Sequence, residues 1–235
     1  RRSPDLRAIR LVKSPLEIRL MRRASAANLA AVDAAIRIVR DGASHAELRR
    51  AYEIEAARLG NRPVFLTVDR ISNELADERV RDGQTFFVDG VSHFRHYHGD
   101  YARTLFVGEP DRAAREAAAA MRHGWDAVRE RLRPGLRYSE IVQIGREAIR
   151  QGGFDASVGF GPHSVGLAHT DEPCDDAGGF YRKLDLVLQP NMILSVDCPV
   201  LATGIGGSAH MEDLMLITAN GAEPIHELRP GTVQV

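Results

Sequence analysis

The sequence predicts a duplicated α+β domain, an antiparallel sheet made of two hairpin-centred halves with helices packed on one face. Three observations carry that expectation. The order long helix, glycine turn, shorter helix, carboxylate-bearing hairpin occurs twice along the chain. Sliding residues 40–60 onto 133–153 superposes Arg40 on Arg133, Gly42 on Gly135 and Glu47 on Glu140, with Leu48 on Ile141. Each hairpin also sets a pair of acids against one another, where facing like charges are destabilising.

The elements follow in order. Ser14-Pro15-Leu16-Glu17 combines a hydroxyl N-cap, Pro at the first helical position and Glu to close a capping box. Ile18, Met21, Leu29, Val32, Ile36 and Val39 then recur at helical spacing, with small Ser25 in the gap, until Asp41-Gly42 stops the helix. Ser44-His45-Ala46-Glu47 repeats the capping pattern and opens a second helix that ends near Leu59-Gly60. A strand is expected at Val64 to Val68, then a charged loop to Gly83. Two β-prone runs, Thr85 to Val91 and Tyr101 to Val107, flank a His-rich loop and read as a hairpin. A third helix spans Asp111 to Leu132, stopped by Pro134-Gly135, and a fourth runs from about Ser139 to Arg150. After the Gly-rich loop Gly159-Phe160-Gly161-Pro162-His163, strands are expected over Met192 to Val200 and His210 to Thr218.

Composition sets outer limits. The 235 residues suffice for a full core, and are expected to form one domain, 1–235. With 31 basic against 32 acidic residues, no bulk field points to nucleic acid or an anionic membrane. No apolar run has transmembrane length. Two cysteines, Cys174 and Cys198, cannot form a disulfide framework, which points to a reducing, cytoplasmic location. Opening on Arg1 rather than Met, the chain reads as the excised or processed part of a longer protein.

The hairpins carry the chemistry. Asp89 and Asp100 oppose one another directly if the first turn centres between Phe94 and Arg95. Asp197 and Glu212 do the same if the second centres between Gly204 and Ile205. A cation is the simplest remedy for such acids. With His163 they form an oxygen-rich set of five candidate ligands, suited to Mn²⁺ first and less selectively to Co²⁺, Fe²⁺ or Zn²⁺. Because carboxylates bridge, the set can hold two ions about 3.5–4 Å apart, as in hydrolases that activate water.

From Lys13-Ser14-Pro15-Leu16-Glu17-Ile18, through Asp89 and Tyr97-His98-Gly99-Asp100 with Arg103-Thr104, to the His163 loop, Asp197 and Glu212-Asp213, the chain resembles the pita-bread metallopeptidases. That family includes methionine aminopeptidase, Xaa-Pro aminopeptidase, prolidase and the metal-free creatinase. The resemblance implies the duplicated sheet, the metal positions Asp89, Asp100, His163, Asp197 and Glu212, and a catalytic, substrate-contacting role for His169. It further implies a homodimer and, in larger relatives, a separate N-terminal domain. Three positions depart from the family pattern. Asp197 stands where Glu is usual; a His expected near Ile71-Ser72 is absent; and His163 and His169 lie six residues apart rather than seven, as in the creatinase-type loop.

The implied enzyme is a metallo-aminopeptidase-like hydrolase acting on a small or short-peptide substrate, in which Asp197 relays a proton and His169 steadies the oxyanion. Two rivals remain: a creatinase-like amidinohydrolase or lyase on a small polar metabolite, and a binding protein without catalysis. His98, beside Gly99-Asp100, is placed to touch substrate, whereas His93, His96 and His98 together read as polar residues at a pocket mouth or a separate metal patch. His210 shares the Glu212 face and counts among the substrate-binding candidates, as an orienting group or as a satisfied core histidine. Cys198 is expected to be buried, and Arg103 to pair with a buried acid.

Overall fold

The computed structural model describes residues 3–69, 78–154, 161–175, 182–198, 200–202 and 207–235. The helices are α1 Ser3–Leu11, α2 Pro15–Ile36, α3 His45–Arg58, α4 Arg112–Arg129 and α5 Tyr138–Gln151. The strands are β1 Arg62–Val68, β2 Thr85–Phe94, β3 Tyr97–Phe106, β4 His163–Ser164, β5 Cys174–Asp175, β6 Arg182–Lys183, β7 Ile193–Asp197, β8 Leu201–Ala202, β9 Ser208–Ala209, β10 Glu212–Ile217, β11 Ala222–Pro224 and β12 Thr232–Gln234.

Both predicted capping boxes form. The Ser14 and Ser44 hydroxyls accept from the Glu17 and Glu47 amides, and both glutamates accept from the serine amides. Helix α2 ends at Ile36, earlier than the Asp41-Gly42 stop predicts. Ile38 and Val39 donate to Ala35 and Ile36, three-residue bonds that tighten and close the last turn. The chain then turns through Gly42 at φ +78. Helix α1 precedes the first capping signal in the sequence, at Ser14, and it leaves Leu6 and Ile9 exposed.

The main sheet runs β1-β2-β3-β10-β7-β4, with β11 beside β10 and β12 pairing parallel to β3. Three strands from each half therefore meet at the β3·β10 seam, where Ala102 faces Glu212. The duplication extends to hydrogen bonds. Gly42 donates to Val80 and Val80 to Ala43; Gly135 donates to Leu188 and Leu188 to Leu136. His45 donates to Glu78 as Tyr138 donates to Leu186. Each half has its own apolar core, one around Leu48, Tyr52 and Phe86, the other around Trp125, Ile141 and Leu194.

The first hairpin differs from its expected register. Its strands continue to Phe94 and Tyr97, so the turn is Arg95-His96, both at positive φ (51 and 71). Asp89 therefore opposes Ala102 and Asp100 opposes Val91. The shift is two residues, one full side-chain period, so both acids keep the same face and become diagonal neighbours. In the second hairpin Asp197 and Glu212 are directly opposed, as expected; its predicted turn centre at Gly204-Ile205 lies outside the described residues.

Glycine fixes which face the helices cover. A Cβ on Gly99 would stand 2.8 Å from the Ser25 Cα, and one on Gly90 would stand 2.6 Å from Val32 Cγ2. Helix α2 thus lies against Gly90 and Gly99, and their neighbours Asp89 and Asp100 point to the opposite face. Ser25 is small because Gly99 abuts it. Behind the seam, on the helix side, Arg103 and Asp213 form a fully buried ion pair at 2.6 Å, so the expected buried acid is Asp213.

Candidate metal centre

The sheet registers explain why distant residues converge. Asp89 and Asp197 stand on β2 and β7, paired to Ala102 and Glu212, which themselves pair across the seam. Asp100 lies two residues before Ala102. His163 on β4 faces Ser195, two residues before Asp197. Every one of these offsets is even, so Asp89, Asp100, His163, Asp197 and Glu212 share one face.

At the centre, His163 Nε2 lies 3.4 Å from Glu212 Oε1 and 3.7 Å from Asp100 Oδ2. His210 Nε2 lies 3.6 Å from Asp197 Oδ1 and 3.9 Å from Glu212 Oε2. His169 Nε2 hydrogen-bonds Asp100 Oδ2 at 2.9 Å. Three groups have ligand atoms close enough together to hold a metal ion: Asp100, His163 and His169; Asp89, His210 and Glu212; His163, Asp197 and Glu212. Their chemistry suits a divalent cation. Asp89 Oδ1 and Asp100 Oδ1 are buried with no hydrogen-bond partner, a costly state for a carboxylate oxygen that an ion would relieve.

Electrostatics agree. Burial, then the Glu212 and neighbouring carboxylate charges, pushes the Asp89 and Asp100 carboxyls well above the ordinary range. Burial would also raise Glu212, but the His163 and His210 imidazoles facing it at 3.4 and 3.9 Å hold it well below. Burial would lower His210, yet the Glu212 and Asp197 carboxylates raise it to about 9. His163 is raised in the same way, against its own burial, by Glu212 and Asp100. Four carboxylates crowd too few positive charges.

The surrounding loop is held from behind. Buried Lys13 donates to Ser164 Oγ (3.1 Å), Asp171 accepts from the Leu167 amide (2.9 Å) and from Arg10, and Glu172 accepts from the Ser164 amide (2.9 Å). The loop carries His169 to the rim, where its side chain is 36% exposed. His98 lies on the Asp100 face of β3, and its backbone N–H and its Nδ1–H both donate to Gly166 O (3.0 and 3.1 Å). Burial lowers its basicity. His93 and His96 stack (centroids 5.2 Å) rather than converge, and among the described residues no metal-holding group includes them. Cys198 is buried in the apolar core, facing away from Asp197 as expected. The Ile71-Ser72 position and Gly159-Phe160 lie outside the described residues.

The sequence alone does not single out Ser195, which donates to Glu212, or the support of the loop by Lys13 and Asp171. Period-two spacing from Asp197 could have found Ser195. No local signal distinguishes Lys13 or Asp171 from solvated charges.

The doubled α+β halves, joined at one seam with acids on the open face, are those of a pita-bread fold. The chain belongs to metallopeptidase family M24, whose family model matches residues 19–219. It is 26% identical over 227 residues to an Xaa-Pro dipeptidase of Pyrococcus furiosus, covering 93% of this chain and 64% of that protein. It is 30% identical over 159 residues to a probable dipeptidase PepE of Mycobacterium tuberculosis, covering 65% and 41%. In three dimensions it is similar to the prolidase from Pyrococcus furiosus (TM-score 0.84, 23% identity, 96% of this chain and 68% of that one). It is also similar to dipeptidase PepE from Mycobacterium ulcerans (TM-score 0.85, 22% identity, 100% and 64%). The chain thus spans less than two thirds of the length of these curated relatives. Among the described residues no helix is long and apolar enough to cross a membrane.

Proposed function

We propose that residues 1–235 act as one catalytic domain of a metal-dependent hydrolase of the Xaa-Pro aminopeptidase or prolidase type, cleaving an amide bond in a small peptide. The carrying observation is the convergence of four carboxylates and His163 on one sheet face, with buried carboxylate oxygens lacking partners. Asp89, Asp100, His163, Asp197 and Glu212 would hold the metal. Two divalent ions would balance the four carboxylates; Mn²⁺ suits the oxygen-rich set best. When bound, such ions supply Lewis acidity that activates a water and polarises the scissile carbonyl.

The remaining roles belong to the chain. Asp197, its side chain 35% exposed and opposite Glu212, is the carboxylate that substrate can reach, and it relays the proton from water to the leaving amine. His169, at the rim with Nε2 on Asp100, offers the same N–H to a substrate oxygen gaining negative charge. His98, tied to the loop through Nδ1, keeps Nε2 for the substrate. A cytoplasmic homodimer completes the reading.

Two features favour a second reading, a creatinase-like amidinohydrolase or lyase on a small polar metabolite. These are the shorter Asp197 side chain and the six-residue step from His163 to His169. Purified chain is assayed against Xaa-Pro dipeptides, Xaa-Pro tripeptides and small amidino and carboxylate metabolites, with and without Mn²⁺. Metal-dependent Xaa-Pro turnover supports the first reading, and metabolite turnover alone supports the second. A protein that binds no transition metal and gains no thermal stability from Mn²⁺ refutes the metal mechanism.

A further inference from the structure

His210 is the unexplained group in the centre. It is 4% exposed, and its ring is wedged between the carboxylates and Phe87, whose ring meets it edge-on at 4.9 Å. Its backbone is clamped on both sides by one hydroxyl. Thr104 Oγ1 donates to the His210 carbonyl (2.8 Å) and accepts from the His210 amide (2.9 Å). Nε2 faces Asp197 and Glu212 at 3.6 and 3.9 Å, while Nδ1 is buried without a partner. Ligand atoms about 2.0–2.2 Å from one ion lie at most about 4.4 Å apart, so the 3.9 Å to Glu212 fits a shared ion, and Asp89, His210 and Glu212 offer ligand atoms all within 4.8 Å of one another.

The internal two-fold gives an independent argument. Asp89 pairs with Ala102 as Asp197 pairs with Glu212, so the relation carrying β2 onto β7 carries Ala102 onto Glu212. Asp100, two residues before Ala102, then falls on His210, two residues before Glu212. The second half holds an imidazole where the first holds a carboxylate in the ligand set.

We propose that His210 is itself a metal ligand, coordinating through Nε2 the ion held by Asp89 and Glu212, so that each of two ions carries one imidazole. The assignment rests on the metal-dependent reading above and adds a sixth ligand to it. A nitrogen on this ion moves its preference from Mn²⁺ towards Co²⁺ and Zn²⁺, because imidazole suits those ions better than carboxylate alone does. The alternative role, a protonated His210 acting only as counter-ion to the acids, predicts no bond to the metal.

The test is proton NMR of the Co²⁺-loaded chain, in which each ligated imidazole gives a paramagnetically shifted, exchangeable N–H signal. The His163 and His210 assignment predicts two such signals, both retained in His169→Ala. In His210→Gln one signal is lost, the second Co²⁺ binds about tenfold more weakly or worse, and the Zn²⁺-over-Mn²⁺ preference falls. If His210→Gln does not fold, the count in wild type and His169→Ala decides: a single signal, or one that disappears in His169→Ala, overturns the assignment. Two signals persisting in His210→Gln overturn it as well, and leave the metal-dependent reading standing. Wild type that binds no Co²⁺ at all sinks both.

Discussion

Replacing Arg103 by Ala should cost more stability than any single change at the metal-facing residues. The guanidinium is completely buried on the helix side of the seam. Its Nη2 bonds Asp213 Oδ1 at 2.6 Å, and its Nη1 donates to the carbonyls of Ala102 (2.7 Å) and Glu212 (3.0 Å), one from each half of the sheet. It also lies 4.0 Å over the Tyr101 ring. Arg103→Ala leaves Asp213 as a buried charge without a cation beside it: His226 Nε2, 3.7 Å away, accepts from the Leu214 amide, and burial lowers the basicity of that ring. Breaking such a pair from one side costs about 3–5 kcal/mol. Loss of the charged donor to the Ala102 and Glu212 carbonyls adds about 1.5–3 kcal/mol, although the two losses overlap. Burial already raises Asp213 despite Arg103, so in the variant it protonates, which trims the cost towards the lower end. We therefore expect about 4 kcal/mol by urea unfolding, with the midpoint lowered and the slope unchanged. The apolar pair Arg103→Met with Asp213→Leu should recover most of that loss, since neither charge then remains buried. A loss below about 1 kcal/mol in Arg103→Ala, or a double variant as unstable as the summed single ones, contradicts this account of the seam.

Adding Mn²⁺ or Co²⁺ to metal-free chain at a hundred times its Kd should stabilise it by about 2.7 kcal/mol, reversed by chelator; an unchanged melting temperature rules out a preformed site. Gly99→Ala drives a Cβ to 2.8 Å from the Ser25 Cα, so it should cost about 1–3 kcal/mol and weaken metal binding as Asp100 shifts. Titration calorimetry showing wild-type affinity would disprove that link. Burial lowers the Lys13 ammonium from 10.5 to about 8, against the raising influence of Asp171. Between those pH values the unfolded chain holds the extra proton, so stability rises with pH, relative to Lys13→Met, by at most about 3 kcal/mol. A stability difference that stays level from pH 8 to pH 10.5 refutes the burial argument.

What could be read from the sequence divides along physical lines. The capping boxes at Ser14 and Ser44 and the pair of acids on each hairpin depend on local spacing and are legible, whereas the meeting of the two hairpins at the β3·β10 seam is implied only by the family resemblance. The Asp89–Asp100 register shows why an incorrect detail did not spoil the site. A hairpin can turn at Phe94-Arg95 or at Arg95-His96 with nothing in the residue types to choose between them, because neither Arg95 nor His96 is the glycine that usually marks positive φ. A two-residue slip preserves the face, whereas a one-residue slip would have turned Asp89 towards α2 and dismantled the centre. Helix α1, the three-residue strand β12 and the Lys13–Asp171 support were illegible for the opposite reason. Each is fixed by partners remote in sequence: β12 by β3, Lys13 by Ser164, Arg10 by Asp171. His210 lies between these extremes. Period-two spacing puts it on the Glu212 face, but only the pairing of Asp89 with Ala102 and of Asp197 with Glu212 shows that it occupies the place of Asp100. A duplicated sheet thus carries information about ligands that neither hairpin holds alone, and departures from its symmetry, imidazole for carboxylate, are where this chain's metal preference is expected to be set.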